Sequence, residues 1–199
     1  MPMNAPLPSR IALTALLSVT VLAAQNAQPA RQPDVPYVPT TEEAVQAMLK
    51  LAGVKKTDVV YDLGCGDGRI VIAAAKTYGA HGVGIDINPE RIKEAKANAK
   101  NSGVENLVRF EENDLFAANF KDATVVTLFL LPQVNLKLRP RLLAELKPGT
   151  RVVSNTFDMG DWKPDKEINL SDAQGVEYAS LSQRLYLWTV PAKAAANRD

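Results

Sequence analysis

The run Asp62-Leu63-Gly64-Cys65-Gly66-Asp67-Gly68 is the first place where residue types and spacing could do chemistry. Gly64, Gly66 and Gly68 alternate, and a loop whose backbone must come close to a ligand needs residues without a Cβ. Val59-Val60-Tyr61 ahead of it reads as a buried strand, and Arg69 onward as a helix whose first amides lack intrahelical partners. A strand–loop–helix of this kind binds its ligand at the carboxyl edge of a parallel sheet. Dinucleotide binders place glycine at the first, third and sixth positions, so that a helix terminus meets pyrophosphate. Here the sixth position is Arg69, and the third glycine falls one step early. Asp62 stands just before the loop, where its carboxylate would repel pyrophosphate and attract an ammonium. The competing reading is an ordinary tight strand-to-helix turn.

S-adenosylmethionine (SAM) carries such an ammonium on its methionyl end, so the loop favours SAM over NAD. Gly64, Cys65, Gly66 and Gly68 would then form the cradle. Asp86 follows at the end of the next strand, roughly 20 residues on, the distance at which a carboxylate meets ribose hydroxyls. Ile87 beside it could pack on adenine. Helix capping ahead of Asn88-Pro89 is the alternative for Asp86. In Asn113-Asp114-Leu115-Phe116, Asp114 could accept a bond from the adenine amino group or cap a short helix, and Leu115 adjoins it. Cys65 reads as a small residue fitted into the loop, and His81 as structural. Trp162 and Trp188 read as covers for the sheet edge, with a substrate wall as the alternative for Trp162.

These residues need elements to hold them. A helix is expected from Thr40, with Thr40-Thr41-Glu42-Glu43 as a capping box and Gly53 as its stop. Strands are expected over 58–63, 82–87, 107–111, 123–130 and 151–155. Helices lie between them: 69–78, one opened by Asn88-Pro89, and a connection of two apolar segments around Pro140. The segment 123–130 lacks charge, as in a strand buried on both faces. A last strand, 184–190, follows 151–155 with no clear helix between, which predicts an antiparallel hairpin at the sheet edge. The fold class is therefore α/β, a doubly wound and mostly parallel sheet.

The set Asp62–Gly68, Asp86 and Asp114 resembles the class I, Rossmann-like SAM methyltransferases. Three segments are similar to bacterial relatives of the mitochondrial lysine methyltransferases that modify the adenine nucleotide translocase and the ATP synthase c subunit. They are Pro36-Tyr37-Val38-Pro39-Thr40, the loop through Val71, and Leu130-Leu131-Pro132. The resemblance implies methyl transfer to an acceptor, a protein lysine in those relatives, with Tyr37 and Thr40 approaching the methionine end of SAM. It also implies an acceptor site beyond the fourth strand, flanked by Phe129, Leu130, Pro132 and Asn155. Methyltransferases of adenine, cytosine or glutamine amides often carry Asn/Asp-Pro-Pro-Tyr there. Phe129-Leu130-Leu131-Pro132 has no amide or carboxylate to hold a planar nitrogen, which counts against those acceptors. No catalytic acid or base stands out. A small-molecule acceptor, or SAM binding without catalysis, are the other readings.

Composition limits the remaining possibilities. The chain has 199 residues, 46% hydrophobic and 23% charged, with a formal net charge of +1. That fits one domain without a strongly basic footprint, so no nucleic-acid partner is expected. One cysteine and one histidine exclude an intrachain disulfide and any Cys- or His-cluster metal centre. Arg10, the apolar run 11–24 and small residues after it have the layout of a secretory signal peptide. The run falls short of the roughly 20 residues that span a bilayer. Residues 1–24 are thus expected to be a signal peptide, with an uncleaved anchor as the competing reading. A linker over 25–36, a methyltransferase domain over 37–192 and a tail over 193–199 complete the division. Export to the periplasm or medium is implied, with no stable membrane span once the signal is cleaved; an uncleaved segment would instead anchor the protein to the membrane.

Overall fold

The computed structural model describes residues 35–170 and 184–192. The expected signal or anchor, most of the linker and the tail lie outside the described residues. The elements are α1 (Glu42–Leu51), β1 (Val59–Leu63), α2 (Arg69–Tyr78), β2 (His81–Asp86), α3 (Pro89–Asn101), β3 (Val108–Glu112), β4 (Val125–Leu128), α4 (Pro132–Glu145), β5 (Arg151–Asn155), β6 (Lys166–Asn169) and β7 (Arg184–Thr189). They build one sheet of order β3-β2-β1-β4-β5-β7-β6. Strands β1 to β5 run parallel, and β7 is antiparallel to both β5 and β6. This is the doubly wound α/β sheet expected from sequence, with its antiparallel end.

Several details differ from expectation, among them the fourth strand, expected over 123–130 and found only over Val125–Leu128. Thr41, not Thr40, caps α1: its hydroxyl accepts from the Ala44 amide at 3.3 Å, so the capping box with Glu43 does not form. Strand β6 was not anticipated. Its four residues are mostly exposed and carry no buried alternation, the signal on which a strand is recognised. The helix around Pro140 runs unbroken from Pro132 to Glu145. Asn88 caps α3 as expected, accepting from the Glu90 amide at 2.9 Å, with Pro89 at the first helical position.

Alternate residues of the strands feed two cores, one on each face of the sheet. Val60, Val125 and Val153 join Met48, Leu49, Ile70, Val71 and Ile92 from α1, α2 and α3. Tyr61, Val126 and Val152 face Phe120, Leu138, Leu142 and Trp188. All four residues of β4 are buried, as a strand covered on both faces requires.

The amino edge of the sheet is closed by one buried carboxylate. Asp58 accepts from the Lys55 amide and the Thr124 hydroxyl, each at 2.7 Å, and from the Arg151 guanidinium. Arg151 also donates to the Ala52 carbonyl at 2.7 Å. Burial pushes the Asp58 carboxyl up, but the bonds from Thr124, Lys55 and Arg151 together hold it below its usual range. His81 opens β2 at this edge, exposed and remote from the loop glycines.

Candidate cofactor and acceptor site

At the opposite edge the chain leaves β1 through the glycine loop. Gly64 and Cys65 both donate to the Ile85 carbonyl, at 2.8 and 2.9 Å, and the Gly68 amide closes a turn on the Cys65 carbonyl at 2.9 Å. All three loop glycines have positive φ, the left-handed region that side chains avoid. The space a Cβ would fill is occupied by protein, not left to a ligand. At Gly64 it would lie 2.9 Å from Leu130, at Gly66 2.4 Å from the Tyr37 ring, and at Gly68 2.6 Å from Phe110. The glycines let the cavity walls close onto the loop.

A cavity of about 360 Å³ lies between this loop, the ends of β2, β3 and β4, and residues 35–40. That is within the range of small-molecule sites, roughly 300–1,000 Å³. Of the residues singled out from sequence, Tyr37, Thr40, Asp62, Gly64, Cys65, Gly66, Asp86, Ile87, Asp114, Leu115, Phe129 and Leu130 line it. Gly68, Pro132 and Asn155 are not in its wall. Gly68 sits behind the loop as the N-cap of α2. Pro132 is exposed at the first position of α4, and Asn155 is fully buried within β5. Trp162 also stands apart from the cavity: its carbonyl accepts from Trp188 Nε1 at 2.7 Å, and the two rings pack 5.8 Å apart.

Asp62 is 3% exposed and accepts from the Thr127 hydroxyl at 2.8 Å. Burial pushes its carboxyl up to about 7; nearby Asp86 and Asp67 add to the rise, and the Thr127 bond opposes it. Asp86 accepts from the Gly66 amide at 2.8 Å and the Asn88 amide at 2.9 Å. It thereby fixes the glycine loop against the start of α3, so its capping and ligand-facing roles coexist. Asp114 accepts from the Phe116 amide at 2.8 Å, the turn-capping alternative, while still lining the cavity. Burial pushes the Cys65 thiol far up, and the nearby carboxylates Asp62 and Asp86 add to it, so it stays protonated.

Sequence reasoning treated Arg69 only as a departure from the dinucleotide pattern and did not single out Asp67 or Arg91. The Arg69 guanidinium forks onto Asp67 at 2.9 and 2.6 Å and donates to the Thr40 carbonyl at 2.6 Å. Burial pushes the Asp67 carboxyl up, but Arg69 outweighs it and holds the group below its usual range. Arg91 lies 4.6 Å from the centroid of the Tyr37 ring. Position six of the loop was the available signal for Arg69; Arg91 had none.

The residues fit SAM. Four residues assigned to its groups from sequence line the cavity: Asp62 would hold the ammonium, Asp86 would accept from the ribose, and Ile87 and Leu115 would pack on adenine. The wall arginines are committed to Asp67 and Glu94, while four carboxylates, Asp62, Asp67, Asp86 and Asp114, line the cavity, a poor setting for pyrophosphate. Bound SAM supplies an electrophilic methyl for in-line displacement, a reaction helped chiefly by alignment and exclusion of water. Phe129 and Leu130 form the apolar wall at the end of β4.

Known proteins converge on the same reading. The family model described as the ANTKMT methyltransferase domain matches residues 62–166. A protein-lysine N-methyltransferase of Saccharolobus islandicus is 46% identical over 159 residues, 79% of this chain and 95% of the relative. The human lysine N-methyltransferase of the ATP synthase c subunit is 34% identical over 75% of this chain, which spans 64% of that enzyme. Among solved structures, an RNA methyltransferase from Salinibacter ruber in complex with S-adenosyl-L-homocysteine superposes with a TM-score of 0.73. It is 52% identical, with 81% of this chain and 99% of that one covered. Fold, cavity and relatives agree: the chain belongs to the ANTKMT methyltransferase domain family and is a SAM-dependent methyltransferase.

Proposed function

We propose that the acceptor is the side-chain amine of a protein lysine. The observation that carries this reading is the apolar end of β4, where Phe129 and Leu130 line the cavity and no amide or carboxylate stands in for the planar-nitrogen holder. A lysine amine must lose its proton before it can attack, and its usual pKa is about 10.4. Apolar walls disfavour the ammonium and lower that value, so the chain's contribution is desolvation and alignment, without a dedicated base. The Saccharolobus and human relatives, both named as lysine methyltransferases, support this reading.

RNA is the second reading, favoured by the name of the Salinibacter protein. Against it stand the formal net charge of +1 and the pairing of both wall arginines with carboxylates. We further propose that the N-terminal run 11–24 directs export. Among the described residues no helix is long and apolar enough to cross a membrane.

One experiment addresses both. Cell fractions are incubated with the enzyme and methyl-labelled SAM, then split between protease and ribonuclease. Label that is lost to protease, survives ribonuclease and maps to methyl-lysine by mass spectrometry is the expected result. Label released by ribonuclease, or found only in small molecules, would reverse the assignment. Recovery of the native chain lacking residues 1–24 from the exported fraction is expected as well.

A further inference from the structure

Residues 35–40 form one wall of the cofactor cavity but belong to no helix or strand. Tyr37 and Val38 are 45% and 42% exposed, so this wall is thin, with solvent on one side and the cavity on the other. Pro36 and Pro39 fix φ at two of its six positions and make it stiff. Its carboxyl end is anchored at Thr41, which caps α1. A stiff segment fixed at one end can move as a strap.

Two arginines hold that strap down. Arg69, at the start of α2, donates to the Thr40 carbonyl at 2.6 Å while its fork is locked onto Asp67. Asp67 is itself tied to α3, its carbonyl accepting from Asn98 Nδ2 at 3.1 Å. Arg91, on α3, lies over the Tyr37 ring and is held by Glu94 at 2.6 Å. The same ring also presses on Gly66, where any Cβ would collide with it. The strap is thus clasped between the glycine loop, α2 and α3.

We propose that Arg69 and Arg91 are positioning residues that latch residues 35–40 over the cofactor, so that lifting this strap sets the rate at which spent cofactor leaves. A ligand lying between the strap and the glycine loop is covered on its solvent side. Its departure requires the Arg69–Thr40 bond and the Arg91–Tyr37 stack to open. Both arginine side chains are about one-third exposed, so water can take over their bonds and the latch is reversible.

The test measures association and dissociation rates of S-adenosyl-L-homocysteine on the full chain by a surface-binding assay, with no acceptor present. The variants are Arg69→Met, Arg69→Lys and Arg91→Met. Loss of the Thr40 bond, together with the fork onto Asp67, should speed release about tenfold in Arg69→Met, with an intermediate value for Arg69→Lys and association little changed. The melting temperature of Arg91→Met without cofactor should stay within about 3 °C of the parent, whereas Arg69→Met, which leaves Asp67 without its charge partner, should melt lower. Unchanged release in Arg69→Met, or weaker binding carried only by slower association, would overturn the proposal. Should Arg69→Met fail to fold, Arg91→Met decides alone: faster release supports the latch, and unchanged release overturns it.

Discussion

Asp62 is a carboxyl group that the cofactor-free fold would keep protonated near neutrality. Burial pushes it up to about 7 against the bond from Thr127. An ammonium placed beside it favours the carboxylate, so cofactor binding below that pH must release a proton. Affinity for SAM should therefore fall as pH drops from about 8 to 6, by up to about tenfold per unit. Asp62→Asn should bind at least about tenfold more weakly and lose the pH dependence. Titration calorimetry at several pH values checks both, and a wild-type affinity that is flat across this range would contradict the assignment. For stability the sign is opposite to that of a paired carboxylate. A raised folded-state value means the cofactor-free fold gains most below the usual carboxyl range and loses that gain as pH climbs through about 7. Asp62→Asn should consequently melt higher than the parent at pH above 7 while binding poorly. Asp62 and Asp86 were legible in the sequence because each stands at a fixed place relative to the glycine loop, Asp62 just before it and Asp86 at the end of the next strand. Arg69 and Arg91 were not, because the strap residues that they touch, Thr40 and Tyr37, are distant in sequence. The Arg69 bond to Thr40 spans 29 residues, and nothing local to either arginine announces it.

Elements were legible where they carry a buried face and a cap. Helix α2 has the expected bounds because Ile70, Val71, Ala74 and Ala75 recur at helical spacing and Gly79 ends it in the left-handed region. Strand β6 was hidden because its stability comes from pairing with β7, a contact made only after the sheet has assembled. The knot at Asp58 belongs to the same scale. It joins the turn after α1, the residue before β4 and the start of β5, and none of these is near the others in sequence. Removing Arg151 leaves a buried carboxylate short of its charge partner, a loss of about 3 kcal/mol. Arg151→Met should lower the urea midpoint accordingly, while activity at low temperature with saturating SAM stays near the parent's, since the cavity lies at the other edge. The Asp58 carboxyl is held below its usual range, so its contribution is present above that range and fades as pH falls through the lowered value. The deficit of Arg151→Met should shrink in acid. A deficit that is the same at every pH would show that Arg151 acts through packing alone.

At the scale of the whole molecule, function follows from where the strand order reverses. Proceeding outward from β1, the chain places β2 and β3 on one side and β4 and β5 on the other. The loops leaving β1 and β4 therefore diverge and open a crevice at the carboxyl edge. Asp62, Asp86, Asp114 and Leu130 reach the crevice from four different strands, so the cofactor bridges elements that are far apart in sequence. A ligand that bridges elements stabilises the native state by the free energy of its binding. At about 100 times its dissociation constant, S-adenosyl-L-homocysteine should add about 2.7 kcal/mol, a rise in melting temperature of roughly 5–10 °C for a domain of this size. NAD at the same concentration should add little, because Asp62 opposes its pyrophosphate and the wall arginines are already paired. Thermal melts with each ligand provide the check. A shift from NAD equal to or larger than that from S-adenosyl-L-homocysteine would mean that the carboxylates do not discriminate. The crevice would then have to be reassigned from its topology upward. The same melts on Asp62→Asn separate the two causes of selectivity: loss of the S-adenosyl-L-homocysteine shift without gain of an NAD shift would place the discrimination in the attraction of the ammonium, and gain of an NAD shift would place it in the repulsion of pyrophosphate.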